Sequence, residues 1–150
     1  MKKVILTLLI LFRIGQIGNA QSLDNSIYKY IGNDKTKIVA LKGNNYKTIY
    51  QEDLFGLLYD IENSKYLTPF SIAFMFSQST EICKGISLNF QYSQLNDVIN
   101  YMDKTFEPKD PPNGAKVSFF KAWMEYENGI RYVWKLQKTD NIFFLTLAAR

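Results

Sequence analysis

The dipeptide Asn128-Gly129 stands between two long stretches, 120–127 and 130–137, in which apolar and polar residues alternate. Alternation puts successive side chains on opposite faces of a strand, and Asn-Gly between two such strands is a strong hairpin signal. The pairing register then governs the rest, because a slip of one residue exchanges the two faces of an entire strand. A two-residue type I′ turn would pair Trp123 with Trp134 and set Lys121 and Glu125 on the same face as Trp134 and Leu136. A three-residue loop with a glycine bulge shifts the pairing by one. One face then carries Phe120, Ala122, Met124, Tyr126, Ile130, Tyr132, Trp134 and Leu136 without a charge. The other carries Lys121, Trp123, Glu125, Arg131, Val133, Lys135 and Gln137. Burial of the uncharged face favours the bulged register. A turn at Thr139-Asp140 brings back a strand over 142–147, with Phe143, Leu145 and Leu147 in phase with Trp134 and Leu136. The chain is therefore expected to end in a three-stranded meander.

The same periodicities predict the elements upstream. Asp24 caps a short helix carrying Ile27, Tyr28 and Ile31, which Gly32-Asn33-Asp34 ends. The stretches 37–41 and 46–50 flank Gly43-Asn44 and read as a hairpin. Over 52–62, Leu54, Leu57, Leu58 and Ile61 recur at the spacing of one helical face, behind Glu52 and Asp53 at the positive end of the dipole. Beyond Pro69, Phe70, Ile72, Phe74 and Phe76 alternate with small or flexible residues, and Ile86, Leu88, Phe90 and Tyr92 alternate with polar ones, giving two more strands. Ser93 is placed to cap a helix whose stripe is Leu95, Val98, Ile99, Met102 and Phe106. The segment 107–114 holds three prolines and reads as a loop, either a connector or a contact loop. The expected fold is α+β: an antiparallel sheet of about seven strands with two or three helices on one face.

The N-terminus carries the signature of export. Lys2 and Lys3 precede an apolar stretch over 4–12, interrupted by Thr7, and Gly18 and Ala20 supply the small residues that signal peptidase requires before a cut ahead of Gln21. Arg13 weakens the apolar stretch, which is far shorter than the roughly 20 residues of a membrane-spanning helix. Residues 1–20 are thus expected to be a secretory signal peptide and 21–150 a single α+β domain, delivered to the periplasm or the extracellular space, with no transmembrane span after cleavage. Cleavage removes three of the 18 basic residues and leaves 15 against 14 acidic ones, a net charge of +1. No basic face clusters in the remainder, so nucleic acid is not an expected partner.

The chain contains no histidine. Histidine is the base in most serine and cysteine nucleophile sites and the commonest ligand of catalytic zinc, so those classes are closed. The single cysteine, Cys83, has no internal disulfide partner and is expected to be buried beside Ile82 as a small hydrophobe. Carboxylates are the remaining acid-base groups. Glu125 and Glu127 share a strand face near a turn, where a solvated strand end with a lysine neighbour is the better reading than a glycosidase pair. Asp or Asn with glycine at calcium-loop spacing does not occur, nor does a phosphate-cradling glycine loop, and no metal or cofactor is expected.

Surfaces remain. Aromatics make up 15% of the chain, and most fall on apolar stripes where core packing explains them. In the bulged register Trp123 instead lies on the charged face among Lys121, Glu125, Arg131 and Lys135, with Phe144 near, a composition that suits recognition. Packing beneath the helix over 95–106 is the other place for Trp123. The sequence therefore points to an exported, non-catalytic binding module for a protein or an envelope polymer, such as an inhibitor or immunity factor, with Trp123, Arg131, Lys121 and Lys135 as its candidate binding residues. The alternative from a different class is a small carboxylate-dependent hydrolase acting on a glycan.

Overall fold

A computed structural model describes residues 25–62, 67–109 and 119–150. The expected signal segment, the cap at Asp24 and residues 110–114 of the proline-rich loop lie outside the described residues. The chain passes from a 3-10 helix, Asn25–Tyr30, through helix α1, Lys35–Lys42, into strands β1, Lys47–Gln51, β2, Leu54–Asp60, β3, Ser71–Ser77, and β4, Cys83–Gln91. A 3-10 turn, Tyr92–Gln94, opens helix α2, Leu95–Thr105. Strands β5, Glu107–Lys109, β6, Lys121–Glu127, β7, Ile130–Lys138, and β8, Ile142–Ala149, follow.

Among the described residues, eight strands form one sheet in the order β1-β2-β3-β4-β8-β7-β6-β5, and every neighbouring pair is antiparallel. Two four-stranded meanders, each preceded by an α-helix, thus meet where their last strands β4 and β8 pair. The arrangement is symmetric about that seam although the sequence shows no internal repeat.

Alternation divides the sheet into an inner and an outer face. Phe74, Phe76, Phe90, Phe143, Leu136 and Leu145 stand on the inner face, fully out of water. Each contributes about 1.5–3 kcal/mol by leaving it. The helical segments cover this face. Ile38 of α1 and Val98 and Met102 of α2 have no exposure, and Tyr30 of the 3-10 helix meets Phe74 edge-on at 5.1 Å. Ser71, the one buried polar side chain among the described residues, accepts from the Asn89 amide at 2.8 Å on the outer face.

Four sequence expectations require correction. The stretch 37–41 is not a strand but the body of α1, capped by Asp34, which accepts from Lys37 N at 2.8 Å. Gly43, with φ of 89°, ends that helix rather than forming a hairpin turn. The stretch 52–62 is not a helix but holds β2, whose inner residues Phe55, Leu57 and Tyr59 are buried and whose outer residues Leu54 and Leu58 are half-buried, so its apolar residues are continuous rather than alternating. Gly56 at its centre is the local sign of a strand: a Cβ there would stand 2.7 Å from Ile49 Cγ1 and 2.8 Å from Met75 Sδ on the flanking strands. The 107–114 loop begins as strand β5, which widens the final meander from three strands to four. Lastly, Trp123 pairs with Trp134 across the β6–β7 hairpin, so the two-residue turn prevails over the bulge. Asn128 and Gly129 both take left-handed φ, 51° and 77°, as a type I′ turn demands. The 95–106 helix stands as expected, although its entry is secured by reciprocal Gln91 and Gln94 bonds rather than by Ser93. Over the described residues the sheet has eight strands against an expected seven, with two α-helices.

Candidate functional site

The I′ register moves the residues singled out by sequence onto two different faces. Lys121, Trp123 and Glu125 stand opposite Leu136, Trp134 and Tyr132 on the inner face. Arg131 and Lys135 stand on the outer face, where the Lys135 ammonium lies 5.5 Å from the Phe119 ring centroid. The four candidate binding residues are therefore not brought together, and Trp123 has no exposure at all.

Trp123 is instead part of a polar knot that fastens α2 to the sheet. Its indole Nε1 donates to Asp103 Oδ1 at 2.7 Å. Lys121 Nζ donates to the other oxygen, Oδ2, at 2.5 Å and sits 5.5 Å from the Trp123 ring centroid. Asp103 comes from the last turns of α2, one position beyond the fully buried Met102. The Lys121 ammonium, helped by the indole N–H, holds the Asp103 carboxyl below the usual carboxylate range against a smaller opposing effect of burial.

A second knot forms around Glu125. Its Oε1 accepts from Trp134 Nε1 at 2.7 Å and from the Tyr28 hydroxyl of the N-terminal 3-10 helix. Tyr28 packs on Tyr132 and Trp134, with ring centroids 4.8 and 6.2 Å away, and Phe106 closes on Trp134 at 6.1 Å. Burial among these rings raises the Glu125 carboxyl above its ordinary value despite the Trp134 bond, and the charge of Glu127 adds to the rise. Glu127 itself is exposed at the hairpin end, so the pair does not converge on an enclosed cleft. Sequence reasoning missed this knot because Tyr28 is 97 residues from Glu125. The available signal was the I′ preference of Asn128-Gly129, which sets Glu125 beside Trp134.

Cys83 is buried, as expected. Burial pushes its thiol up to about 11, and its S–H points at Gly85 O at 3.4 Å. A thiol so placed is a poor nucleophile at neutral pH. Among the described residues, no three His, Cys, Asp or Glu side chains converge as metal ligands, and no helix is long and apolar enough to cross a membrane.

No family model matches the chain, and neither the curated proteins nor the solved structures contain a match to it. Its own surfaces are the remaining guide. On the outer face, Ile49, Gly56, Met75, Gly85, Ala148, Val133 and Met124 follow one another as cross-strand partners from β1 to β6, a row without a charge until it ends at Glu107 of β5. The adjacent row is Lys47, Leu58, Ala73, Ser87, Thr146, Lys135, Ala122 and Lys109, small in the middle and basic towards its ends. Leu58, Met75, Met124 and Val133 in these rows are half-buried, and the described helices pack on the other side.

Proposed function

We propose that the chain is an exported, non-catalytic interaction module that presents the outer face of its sheet to a protein or to an envelope polymer. Residues 1–20 direct export and are removed ahead of Gln21 in this proposal, and an inhibitor or immunity factor is its most concrete form. The supporting observation is a contrast between the two faces. On the inner face, the side chains with chemistry are engaged in holding the fold: Asp103 by Lys121 and Trp123, Glu125 by Trp134 and Tyr28, and Cys83 by burial. The outer face offers a wide row of apolar and small side chains flanked by Lys135 and Arg131, a composition of the kind that binding surfaces use. Of the four binding residues expected from sequence, this proposal keeps Arg131 and Lys135 as contacts and assigns Trp123 and Lys121 to the support of the sheet.

The competing hydrolase draws on Glu125, whose raised carboxyl is the usual property of a general acid. One experiment separates the two. The mature domain and its Val133→Glu and Glu125→Gln variants are each tested for retention on envelope fractions and for release of sugars from them. The module is supported when retention is lost with Val133→Glu at unchanged melting temperature and survives Glu125→Gln. Sugar release that disappears with Glu125→Gln refutes it.

A further inference from the structure

The two edges of the sheet are built differently. β5 closes one edge with three residues and carries Pro108, which has no N–H to offer a further strand. β1 closes the other with five residues, Lys47–Gln51, all exposed. Ile49 and Tyr50 of β1 are among the large hydrophobic side chains left in water, Tyr50 at 78%, and Leu41 at the end of α1 is another. Lysine on an edge strand ordinarily discourages pairing, but Lys47 is here paired with Asp60 of β2 at 3.1 Å.

The backbone of this edge is also held in place. The β1–β2 turn is fastened from the β3–β4 side, where Gln78 N donates to Asp53 O at 3.1 Å and Gln78 Nε2 donates to Glu52 O at 2.7 Å. The two-residue turn closes on the Gln51–Leu54 pair, and bonded and non-bonded pairs alternate outward from it. Lys47, Ile49 and Gln51 therefore direct their N–H and C=O groups to β2, whereas Thr48 and Tyr50 turn theirs to the open edge.

We propose that two copies of the chain pair antiparallel through β1, about a two-fold axis at Ile49. The strand is its own complement in that register. Thr48 meets Tyr50 of the second copy as a fully bonded pair on each side of the axis, and Ile49 meets Ile49 as the close, non-bonded pair between them. Lys47 meets Gln51, so no like charges oppose each other. The uncharged outer row that begins at Ile49 then continues across the axis into the same row of the second copy. A five-residue edge is small for an interface, so the association is weak and concentration-dependent. The proposal stands independently of export and of any envelope partner.

Sedimentation of the mature domain over a range reaching about 1 mM tests it, since an association as weak as that concentration is still populated there. The expected result is a monomer–dimer equilibrium. Thr48→Pro removes only a donor that faces the open edge, and Ile49→Lys opposes two ammonium groups across the axis. Each should weaken the dimer at least about tenfold with little change in melting temperature. Ile49→Cys should cross-link to a covalent dimer under mild oxidation, because close antiparallel pairs approach disulfide geometry, whereas Asp140→Cys on an exposed turn should not. A monomer at every concentration overturns the proposal. So does a dimer indifferent to both substitutions at β1, or equal cross-linking of the Ile49→Cys and Asp140→Cys variants, which would place the contact elsewhere.

Discussion

Glu125 offers the sharpest test of how the inner face is held. Its Oε1 is the acceptor for two donors, the fully buried Trp134 Nε1 and the Tyr28 hydroxyl. Glu125→Ala leaves both without a partner. A buried unpaired donor costs about 1–3 kcal/mol, with Trp134 towards the upper end and the less buried Tyr28 towards the lower, so a loss of about 2–4 kcal/mol is expected. Glu125→Gln keeps an oxygen in the same place and removes the charge, and at pH 7 it should match the parent or exceed it. The pH dependence follows from linkage. A carboxyl raised in the folded state binds its proton more tightly than in the unfolded chain, so its favourable contribution is complete below the ordinary glutamate value and is lost as pH rises through the raised one. Urea unfolding of the parent and Glu125→Gln from about pH 4 to pH 8 should therefore show the glutamine variant gaining on the parent as pH rises. Equal stability of Glu125→Ala and the parent, or equal damage from Ala and Gln, would refute the account of Glu125 as a buried acceptor.

Three further outcomes follow from the same geometry. Trp123→Ala should destabilise the fold by about 3–5 kcal/mol in thermal or urea unfolding, as for other buried large aromatics, and a variant that melts with its parent would restore Trp123 to the surface. Asp103→Asn should be less stable than the parent at neutral pH. Because the Asp103 carboxyl is depressed by Lys121, the difference should close as pH falls through its lowered value, and a difference that is constant with pH would remove the ion pair from the account. Cys83, enclosed and with its thiol raised to about 11, should resist alkylation at neutral pH until denaturant opens the fold, and rapid native-state labelling would contradict its burial.

Much of the sheet is legible in the sequence because one-sided burial writes itself as alternation. β3, β4, β7 and β8 follow from that pattern, and α2 from a stripe of apolar residues at helical spacing. β2 escapes it because both of its faces are apolar, which erases the alternation: Phe55, Leu57 and Tyr59 lie in the inner core, and Leu54 and Leu58 are half-buried on the outer face, where Gly56 stands between Ile49 and Met75. In LFGLLYD the surviving spacing happens to fit a helix, and only Gly56 and the flanking aromatics speak against it. α1 escapes for the opposite reason. It buries Ile38 alone, so it has almost no stripe to detect, and its capping residues Asp34 and Gly43 carry the assignment instead. The candidate site is less legible than either, since Tyr28, Asp103 and Glu125 meet their partners only after the sheet has been assembled.

The register of the last hairpin shows why. The choice between a two-residue turn and a bulge sets local preference against the burial of charge, and on sequence alone an inner face holding Lys121 and Glu125 is unfavourable. The cost is offset for Lys121 by Asp103, which also takes the Trp123 indole, and it is reduced for Glu125 by the Trp134 indole and the Tyr28 hydroxyl at the rim of the core. The two tryptophans need acceptors as much as the charges need donors, because an indole N–H buried without a partner is itself unfavourable. Trp123 opposite Trp134, with a charged residue two positions along the same strand on either side, is therefore a self-consistent inner face. In such a hairpin, tryptophan beside charge marks where helices are anchored to the sheet, and the recognition surface has to be sought on the face that the helices leave open.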